Sequence, residues 1–120
     1  MRSTDEVLNH HLKCFAARDL DGILSDYSDD ALFFSAEGAV RGREAIRDVF
    51  DKILSEFAKP GASIMSKQRL VEEDYAYLVW TAETADNIYE LASDTFVIRD
   101  GSIQLQAFTA KIRPKATGPG

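Results

Sequence analysis

Length, composition and charge limit what this chain can be. Its 120 residues are enough for one domain with one core and too few for two. Hydrophobic residues make up 45% and charged residues 28%, as in ordinary globular domains, and the net charge is −6. A nucleic-acid-binding surface needs clustered basic side chains to contact phosphates, so the acidic balance argues against nucleic acid as a partner.

Cysteine and histidine usage narrows the class further. The single Cys14 cannot form an internal disulfide, and a cysteine in a helical pattern is typical of a buried, inert thiol. Two histidines and one cysteine give no metal-ligand spacing, so we expect no metal and no cofactor. The N-terminus lacks a signal-peptide pattern and no apolar run reaches membrane-spanning length. We therefore expect a cytoplasmic protein with no membrane partner.

The first helix is predicted to begin at Ser3 or Thr4 and to run to about Arg18. Ser3 and Glu6 have the spacing of a capping box. Apolar residues recur along this helix at three- and four-residue steps, and His11 lies on the same stripe. A lone histidine in such a stripe is more often a core or interface residue than a catalyst.

A second, shorter helix and a strand are predicted next. Asp19 has the position of an N-cap, and the helix is expected to end near Ser28 with Tyr27 on its apolar side. A pair of aspartates then interrupts the pattern. Residues 31–35 read as a short strand because they are apolar and follow this break.

The region after this strand is predicted to be a loop followed by the clearest amphipathic helix of the chain. Glycines bracket the loop over residues 37–42. Apolar residues then recur with helical spacing over residues 45–57, and Pro60 with Gly61 ends the helix.

The hydrophobic period changes to two after this helix, which predicts an antiparallel meander. Short polar links separate the strands, and Asp100 with Gly101 is a strong hairpin signal. Helices that precede an antiparallel sheet indicate an α+β fold with one domain over residues 1–113 and a flexible tail over 114–120. Strands of this length twist and curl, which leaves a hollow under the helices. The predicted strands cover residues 63–73, 76–85, 88–99 and 102–112.

Asp94 is the strongest candidate for a functional group. It interrupts an apolar β-type run, and strand alternation places it on the same face as Phe96 and Ile98. If these two side chains face the core, the carboxylate does too, and a buried carboxylate shifts its pKa or finds a donor. Such groups are candidates for function. The alternative is an acid on a solvated strand face.

His11 is the second candidate, because the first helix should cover the open end of the curved sheet. If the two groups approach, Asp94 orients the imidazole and holds it charged near neutral pH, which makes a general acid–base pair. Gln104 and Gln106 are further pocket candidates that can equally face solvent. The side chains predicted to contact a small, largely apolar ligand are Tyr27, Phe33, Ser35, Trp80, Phe96 and Phe108.

The strand at 76–85 has apolar residues on both faces. Leu78 and Trp80 share one face, while Tyr77 and Val79 share the other. A sheet that buries one face in the monomer and the other against a second copy explains this pattern, so homodimerisation is predicted.

Three segments resemble the nuclear transport factor 2-like superfamily. Residues 19–31 resemble its helix-to-strand segment, 42–47 its next helix start and 94–103 its last hairpin, within a match that spans about 4–112. The resemblance implies a cone-shaped, cystatin-like α+β roll with a curved antiparallel or mixed sheet around N-terminal helices, a deep pocket and frequent homodimerisation. Members include SnoaL-like polyketide cyclases, ketosteroid isomerases, dehydratases, limonene epoxide hydrolases and non-enzymatic transport or scaffold proteins.

The resemblance also implies roles for individual residues. The oxyanion-hole acid of ketosteroid isomerases falls on Asp94, the tyrosine of their first helix on His11, and their proton-shuttling base on Ser35. A serine hydroxyl needs an activating base to take a carbon acid's proton, which argues against steroid isomerisation. The resemblance favours a SnoaL-like protein that binds a small apolar molecule, with cyclase, isomerase or dehydratase chemistry if it is catalytic. The alternative is a non-enzymatic dimeric ligand-binding or protein-interaction module.

Overall fold

The helices lie mainly in the first half of the chain and the long strands in the second half. The computed structural model describes residues 1–116, so positions 117–120 of the predicted tail lie outside the described residues. The elements are α1 (Thr4–Ala16), α2 (Leu20–Leu24), β1 (Tyr27–Ser35), β2 (Gly38–Arg41), α3 (Arg43–Phe57), β3 (Ser63–Glu72), β4 (Tyr75–Glu83), β5 (Asn87–Arg99) and β6 (Ser102–Pro114).

Six strands form one curved sheet in the order β2-β1-β6-β5-β4-β3. Strands β1 and β6 run parallel, and the other neighbouring strands are antiparallel. This confirms the predicted α+β fold with a curved mixed sheet and N-terminal helices. Within the described residues, no helix is both long enough and apolar enough to cross a membrane.

The burial pattern of β5 shows which sheet face covers the core. Ala92, Asp94, Phe96 and Ile98 are buried, whereas Thr95 between them is exposed. The alternation confirms that Asp94 shares the inward face with Phe96 and Ile98. The core forms where this face meets the apolar stripes of α1 and α3.

Local capping signals set the starts of the first two helices. Ser3 and Glu6 form the predicted capping box on α1, each side chain accepting a hydrogen bond from the other's backbone N–H. Asp19 caps α2 as predicted, because its carboxylate accepts the backbone N–H of Gly22 at 3.0 Å. Both helix starts could be predicted because the donor and the acceptor of each capping hydrogen bond lie within one helical turn.

The end of α2 was predicted wrongly. The helix stops at Leu24 instead of continuing to Ser28, and Tyr27 begins β1. The reason lies far along the chain: the backbone N–H of Ile103 donates to the carbonyl of Asp26 at 2.7 Å, and Ile103 pairs with Tyr27. Pairing with β6 therefore draws this segment into the sheet.

Strand β2 replaces part of the predicted loop at 37–42. It pairs antiparallel with β1, and Val40 lies opposite Phe33. Gly38 has a φ of 121°, a conformation that favours glycine and closes the hairpin turn. A four-residue strand with one large apolar side chain carries no visible period, which explains why the sequence did not reveal it.

The C-terminal strand continues past the predicted domain boundary at residue 113. β6 runs through Pro114, and the backbone N–H of Lys115 donates to the carbonyl of Asp86 at 2.8 Å. The Lys115 ammonium also lies 2.6 Å from a carboxylate oxygen of Glu83. These contacts attach the start of the predicted tail, up to Lys115, to the β4–β5 turn.

Candidate functional site

An apolar cavity of about 240 Å³, here called the inner cavity, lies between the inward sheet face and helices α1 and α3. Leu12 and Ile64 lie at its open side, where they are 37% and 48% exposed. At the same rim Arg69 of β3 pairs with Asp5 of α1 at 3.0 Å. A cavity of about 150 Å³ is enough to bind benzene, so this one accommodates one or two rings. Aromatic rings form much of the wall: Phe15, Phe33, Phe50, Phe57, Trp80, Tyr89, Phe96 and Phe108.

Asp94 presents its carboxylate to the inner cavity from β5. It accepts hydrogen bonds from Nε1 of Trp80 at 2.8 Å and from Nε2 of Gln106 at 2.9 Å. Leu78 and Phe108 lie directly opposite Asp94 on the neighbouring strands, and the two donors lie two residues further along, at diagonal positions. Burial raises the pKa of the Asp94 carboxyl above its ordinary value, and the two hydrogen bonds oppose part of that rise.

Gln106 connects Asp94 to Tyr27. Its amide oxygen accepts the hydroxyl of Tyr27, while its amide nitrogen donates to Asp94. Gln106 is therefore an inward-facing residue, whereas Gln104 is half-buried and donates to the carbonyl of Arg99 at 3.1 Å. Tyr27 donates to Gln106 and is not among the side chains that form the cavity wall, so its predicted role as a ligand contact stays a prediction. Burial raises the pKa of the Tyr27 hydroxyl well above its ordinary value, so it stays a donor.

His11 forms part of the wall of the inner cavity from α1 and is almost fully buried. Its ring packs edge-on against Tyr27, Phe50 and Phe96, with ring centroids 5.8, 5.8 and 5.6 Å away. Burial lowers the pKa of His11 from 6.5 to about 4, although the carboxylate of Asp26 works in the opposite direction. The imidazole is therefore neutral near neutral pH.

Asp94 and His11, which the sequence suggested as a charged pair if they approach, have other polar neighbours in the structure. Both residues line the inner cavity, but Asp94 is bonded to Trp80 and Gln106. The carboxylate within ion-pair distance of His11 is Asp26, whose Oδ2 lies 3.9 Å from Nδ1. This second acid could not be singled out beforehand, because Asp26 is one of several aspartates in the same segment.

Ser35, the position of the ketosteroid isomerase base, lies outside the cavity wall. It ends β1 opposite Gly38, and its hydroxyl accepts the backbone N–H of Glu37 at 3.2 Å. Ser35 is therefore not among the side chains that form the cavity wall, and its predicted ligand contact stays a prediction. The other predicted ligand contacts, Phe33, Trp80, Phe96 and Phe108, do line the cavity.

A second polar cluster lies beneath the start of α1. Asp26 is fully buried, and its carboxylate accepts hydrogen bonds from Nη1 of Arg2 and Nδ1 of His10, both at 2.8 Å. The sulfur of Cys14 lies 3.5 Å from Nε2 of the same imidazole. Within residues 1–116, no three His, Cys, Asp or Glu side chains are placed to hold a metal ion.

Residues 8–106 match the family model of the SnoaL-like domain. The chain belongs to the SnoaL-like family. The match covers both walls of the inner cavity, from α1 to Gln106, and it confirms the resemblance drawn from the sequence segments. No curated protein matches this SnoaL-like sequence.

Solved structures agree on the fold of this SnoaL-like chain. The epoxide hydrolase/cyclase-like enzyme SalBIII, with a role in pyran ring formation in the polyether salinomycin, is 16% identical with a TM-score of 0.75, covering 90% of each chain. A proposed polyketide cyclase from Sinorhizobium meliloti is 16% identical with a TM-score of 0.72, covering 90% of this chain and 99% of its own. An uncharacterised cystatin-fold protein from Novosphingobium aromaticivorans is 17% identical with a TM-score of 0.72, covering 90% and 98%. At these identities the likeness concerns the fold alone.

Proposed function

We propose that this SnoaL-like protein binds a small, largely apolar molecule of one or two rings and performs acid–base chemistry on it. The observation that carries the proposal is the Asp94 carboxylate at the wall of an aromatic cavity of about 240 Å³. Apolar walls with a few polar groups are the usual form of a small-molecule site. The rings of Phe33, Trp80 and Phe108 line this space without filling it, which supports a ligand site over a closed core.

Asp94 is the proposed general base. Since burial raises its pKa, its carboxylate is a stronger base than a solvated one. With a carbonyl compound, it would take a proton from the carbon beside the carbonyl. The C–H electron pair then moves toward the carbonyl oxygen and gives an enol-like intermediate. Return of the proton at another carbon completes the isomerisation of an unsaturated ketone. Attack of the enol carbon on a second carbonyl of the same molecule, whose oxygen takes up the proton, gives cyclisation. Departure of a β-hydroxyl group as water, with the proton that Asp94 removed, gives dehydration.

His11 is the proposed second acid–base group. A neutral imidazole carries one N–H donor and one acceptor nitrogen, so it can give or take one proton. Because His11 and Asp94 line the same cavity from opposite layers, α1 and the sheet, one ligand between these layers can contact both. SalBIII, which shares the fold, is described as a cyclase-like enzyme, and this supports ring-forming chemistry here.

Binding can be tested by calorimetry with 2-hydroxy-1-tetralone, a two-ring ketone whose hydroxyl can donate to a carboxylate. We expect wild type to bind it and Asp94→Asn to bind at least about tenfold more weakly, since a hydrogen bond to a charged group contributes about 1.5–3 kcal/mol. Asp74→Asn is the matched control, because Asp74 is an exposed acid that pairs with Arg99. Equal affinity in all three proteins would show that Asp94 takes no part in recognition.

Catalysis can be tested on the same ketone without knowing the natural substrate. In D₂O, NMR follows the exchange of the proton on the carbon beside the carbonyl, which is the proposed first step. We expect wild type to accelerate this exchange and Asp94→Asn to lose about 10²-fold or more of that acceleration, as for other positioned bases. A ketone that binds but exchanges no faster than in buffer would contradict the catalytic part of the proposal.

The second candidate function is non-enzymatic ligand binding. One observation favours it: the position of the ketosteroid isomerase base is occupied by Ser35, which is turned into the β1–β2 hairpin. In that case Asp94 would serve only as a hydrogen-bonding group for the ligand. Binding without exchange in the two experiments above is the result that this alternative predicts.

We also propose that the outer sheet face forms a homodimer interface. One cross-strand row runs Phe34, Ala107, Thr95, Tyr77 and Leu70, and its large apolar members are exposed by 40% (Phe34), 38% (Tyr77) and 53% (Leu70). A contiguous exposed apolar row is typical of a protein–protein contact. Analytical ultracentrifugation should find a dimer for wild type and a monomer for Tyr77→Lys. The exposed-turn variant Glu37→Lys should stay dimeric, and a monomeric wild type at micromolar concentration would contradict this interface.

A further inference from the structure

The buried carboxylate of Asp26 lies next to His11 and is not part of the wall of the inner cavity. Its Oδ2 lies 3.9 Å from Nδ1 of His11. Nδ1 is buried and has no hydrogen-bond partner among the residues that the structure describes. A buried polar atom without a partner is rare, and the atom that faces it decides which form of the ring is favoured.

Two basic side chains near the start of the chain also contact the Asp26 carboxylate. The guanidinium of Arg2, which stays protonated, and the imidazole of His10 both hydrogen-bond to this carboxylate at 2.8 Å. Their side chains are 37% and 41% exposed, while Asp26 is fully buried. The cluster therefore places the Asp26 carboxylate between a solvated surface and the wall of the inner cavity, with Oδ2 as the oxygen nearest to Nδ1 of His11.

A negative charge beside Nδ1 distinguishes between the two neutral forms of the imidazole. With the proton on Nδ1, the N–H dipole points toward the carboxylate, which is favourable. With the proton on Nε2, the lone pair of Nδ1 points toward the same charge, which is unfavourable in a poorly solvated site. Among the other groups near the ring, Phe50 and Phe96 are aromatic, the hydroxyl of Tyr27 donates to Gln106, and Asp94 accepts from two donors. His10 is bonded to Asp26.

We propose that Asp26 is a positioning residue that keeps the proton of His11 on Nδ1, so that Nε2 is the acceptor nitrogen for a molecule in the inner cavity. The inference rests on the proposed function, because the cavity gives Nε2 its partner. It goes further by assigning His11 the accepting role and by giving the Arg2–His10–Asp26 cluster a part in the chemistry. A ligand that fits this site carries an O–H, N–H or acidic C–H directed at α1.

The tautomer of His11 can be read directly by long-range ¹H–¹⁵N NMR at neutral pH on protein labelled with ¹⁵N-histidine. The chain has two histidines, so the spectrum holds two rings, and His10→Gln assigns them. In wild type and in His10→Gln we expect the proton of His11 on Nδ1. A wild-type ring protonated on Nε2 would overturn the proposal without any further variant.

Asp26→Asn tests the cause. Arg2 donates to residue 26, so the amide oxygen should turn toward Arg2 and the amide N–H toward His11. The proton of His11 should then move to Nε2, and its pKa should fall further, because the charge that raises it is gone. Asp21→Asn, an exposed acid paired with Arg47, should change neither.

The outcomes separate a positioning role from a structural one. If Asp26→Asn lowers stability but leaves the His11 proton on Nδ1, Asp26 only supports the fold and the proposal fails. Should that variant not fold, the wild-type tautomer still decides, because a proton found on Nε2 would mean that the carboxylate 3.9 Å from Nδ1 does not hold it there. These spectra are recorded on the free protein. Failure of 2-hydroxy-1-tetralone to bind would therefore overturn the cavity proposal and leave the tautomer result standing.

Discussion

Asp94 and Asp26 are both buried carboxylates, and they differ in the charge of their partners. Asp94 is 7% exposed and Asp26 0%, so burial hardly distinguishes them. Asp26 accepts hydrogen bonds from a guanidinium and an imidazole, whereas Asp94 accepts them from a neutral indole and a neutral amide. A buried acid with a cationic partner has its counter-charge within the fold. A buried acid that has only neutral donors and lies beside a cavity can still exchange a proton with a molecule in that cavity. Asp94 is therefore the better candidate for direct chemistry.

The largest effect is expected from removing the acid with charged partners. Asp26→Ala deletes two charge-assisted hydrogen bonds of about 1.5–3 kcal/mol each, so we expect the free energy of unfolding to fall by about 3–5 kcal/mol. Urea denaturation at neutral pH measures this. Asp21→Ala, which removes an exposed acid, should cost less than about 1 kcal/mol. If Asp26→Ala and Asp21→Ala lose equal free energies of unfolding, the charged partners of Asp26 do not stabilise the fold more than a surface ion pair does.

An intermediate effect on stability is expected when the His11 imidazole is protonated at low pH. The pKa of His11 is about 4 in the folded protein and 6.5 in its ordinary state, so the unfolded chain binds the proton more tightly. Its contribution is complete above pH 6.5 and is lost as the pH falls toward about 4, by about 3 kcal/mol at 1.4 kcal/mol per pKa unit. Denaturant unfolding of wild type and His11→Gln over this range should diverge on acidification. Parallel curves would show that the imidazole is solvated.

The smallest effect is expected at Asp94, and its pH dependence has the opposite direction. Because the folded pKa is raised above 3.8, this group stabilises the fold fully below that pH, and the contribution is lost as the pH rises through the raised value. We expect the free energy of unfolding of Asp94→Asn to lie within about 1 kcal/mol of the wild-type value. The variant should become more stable relative to wild type as the pH rises, since it buries no charge. Unfolding free energies measured from acidic to neutral pH provide the test. If wild type instead becomes more stable relative to the variant as the pH rises, the pKa of Asp94 is lowered in the folded protein.

Much of the fold was predictable because its signals are local. The capping box at Ser3, the N-cap at Asp19, the amphipathic α3 and the four long strands each follow from residues within one element. The inward direction of Asp94 follows in the same way, from alternation with Phe96 and Ile98. These features need no knowledge of what packs against them.

The missed features depend on contacts between distant parts of the chain. Tyr27 belongs to a strand because β6 pairs with it, and Gln106 faces inward because that register places it beside Asp94. Asp26 is buried because Arg2 and His10 converge on it from the start of the chain. A sequence pattern specifies which face a residue shares with its neighbours, but the partner across the core is fixed only by the assembled sheet.

Trp80 gives the protein a built-in optical reporter of its own cavity. It is the single tryptophan of the chain, it stacks on Tyr89 and Phe108, and its indole N–H donates to Asp94. Excitation at the red edge, where tyrosine does not absorb, therefore yields emission from this one indole. Protonation of the neighbouring acid or insertion of a ring beside the indole would alter that emission. Titrations of pH and of a guest molecule can consequently be followed by fluorescence on the unmodified chain.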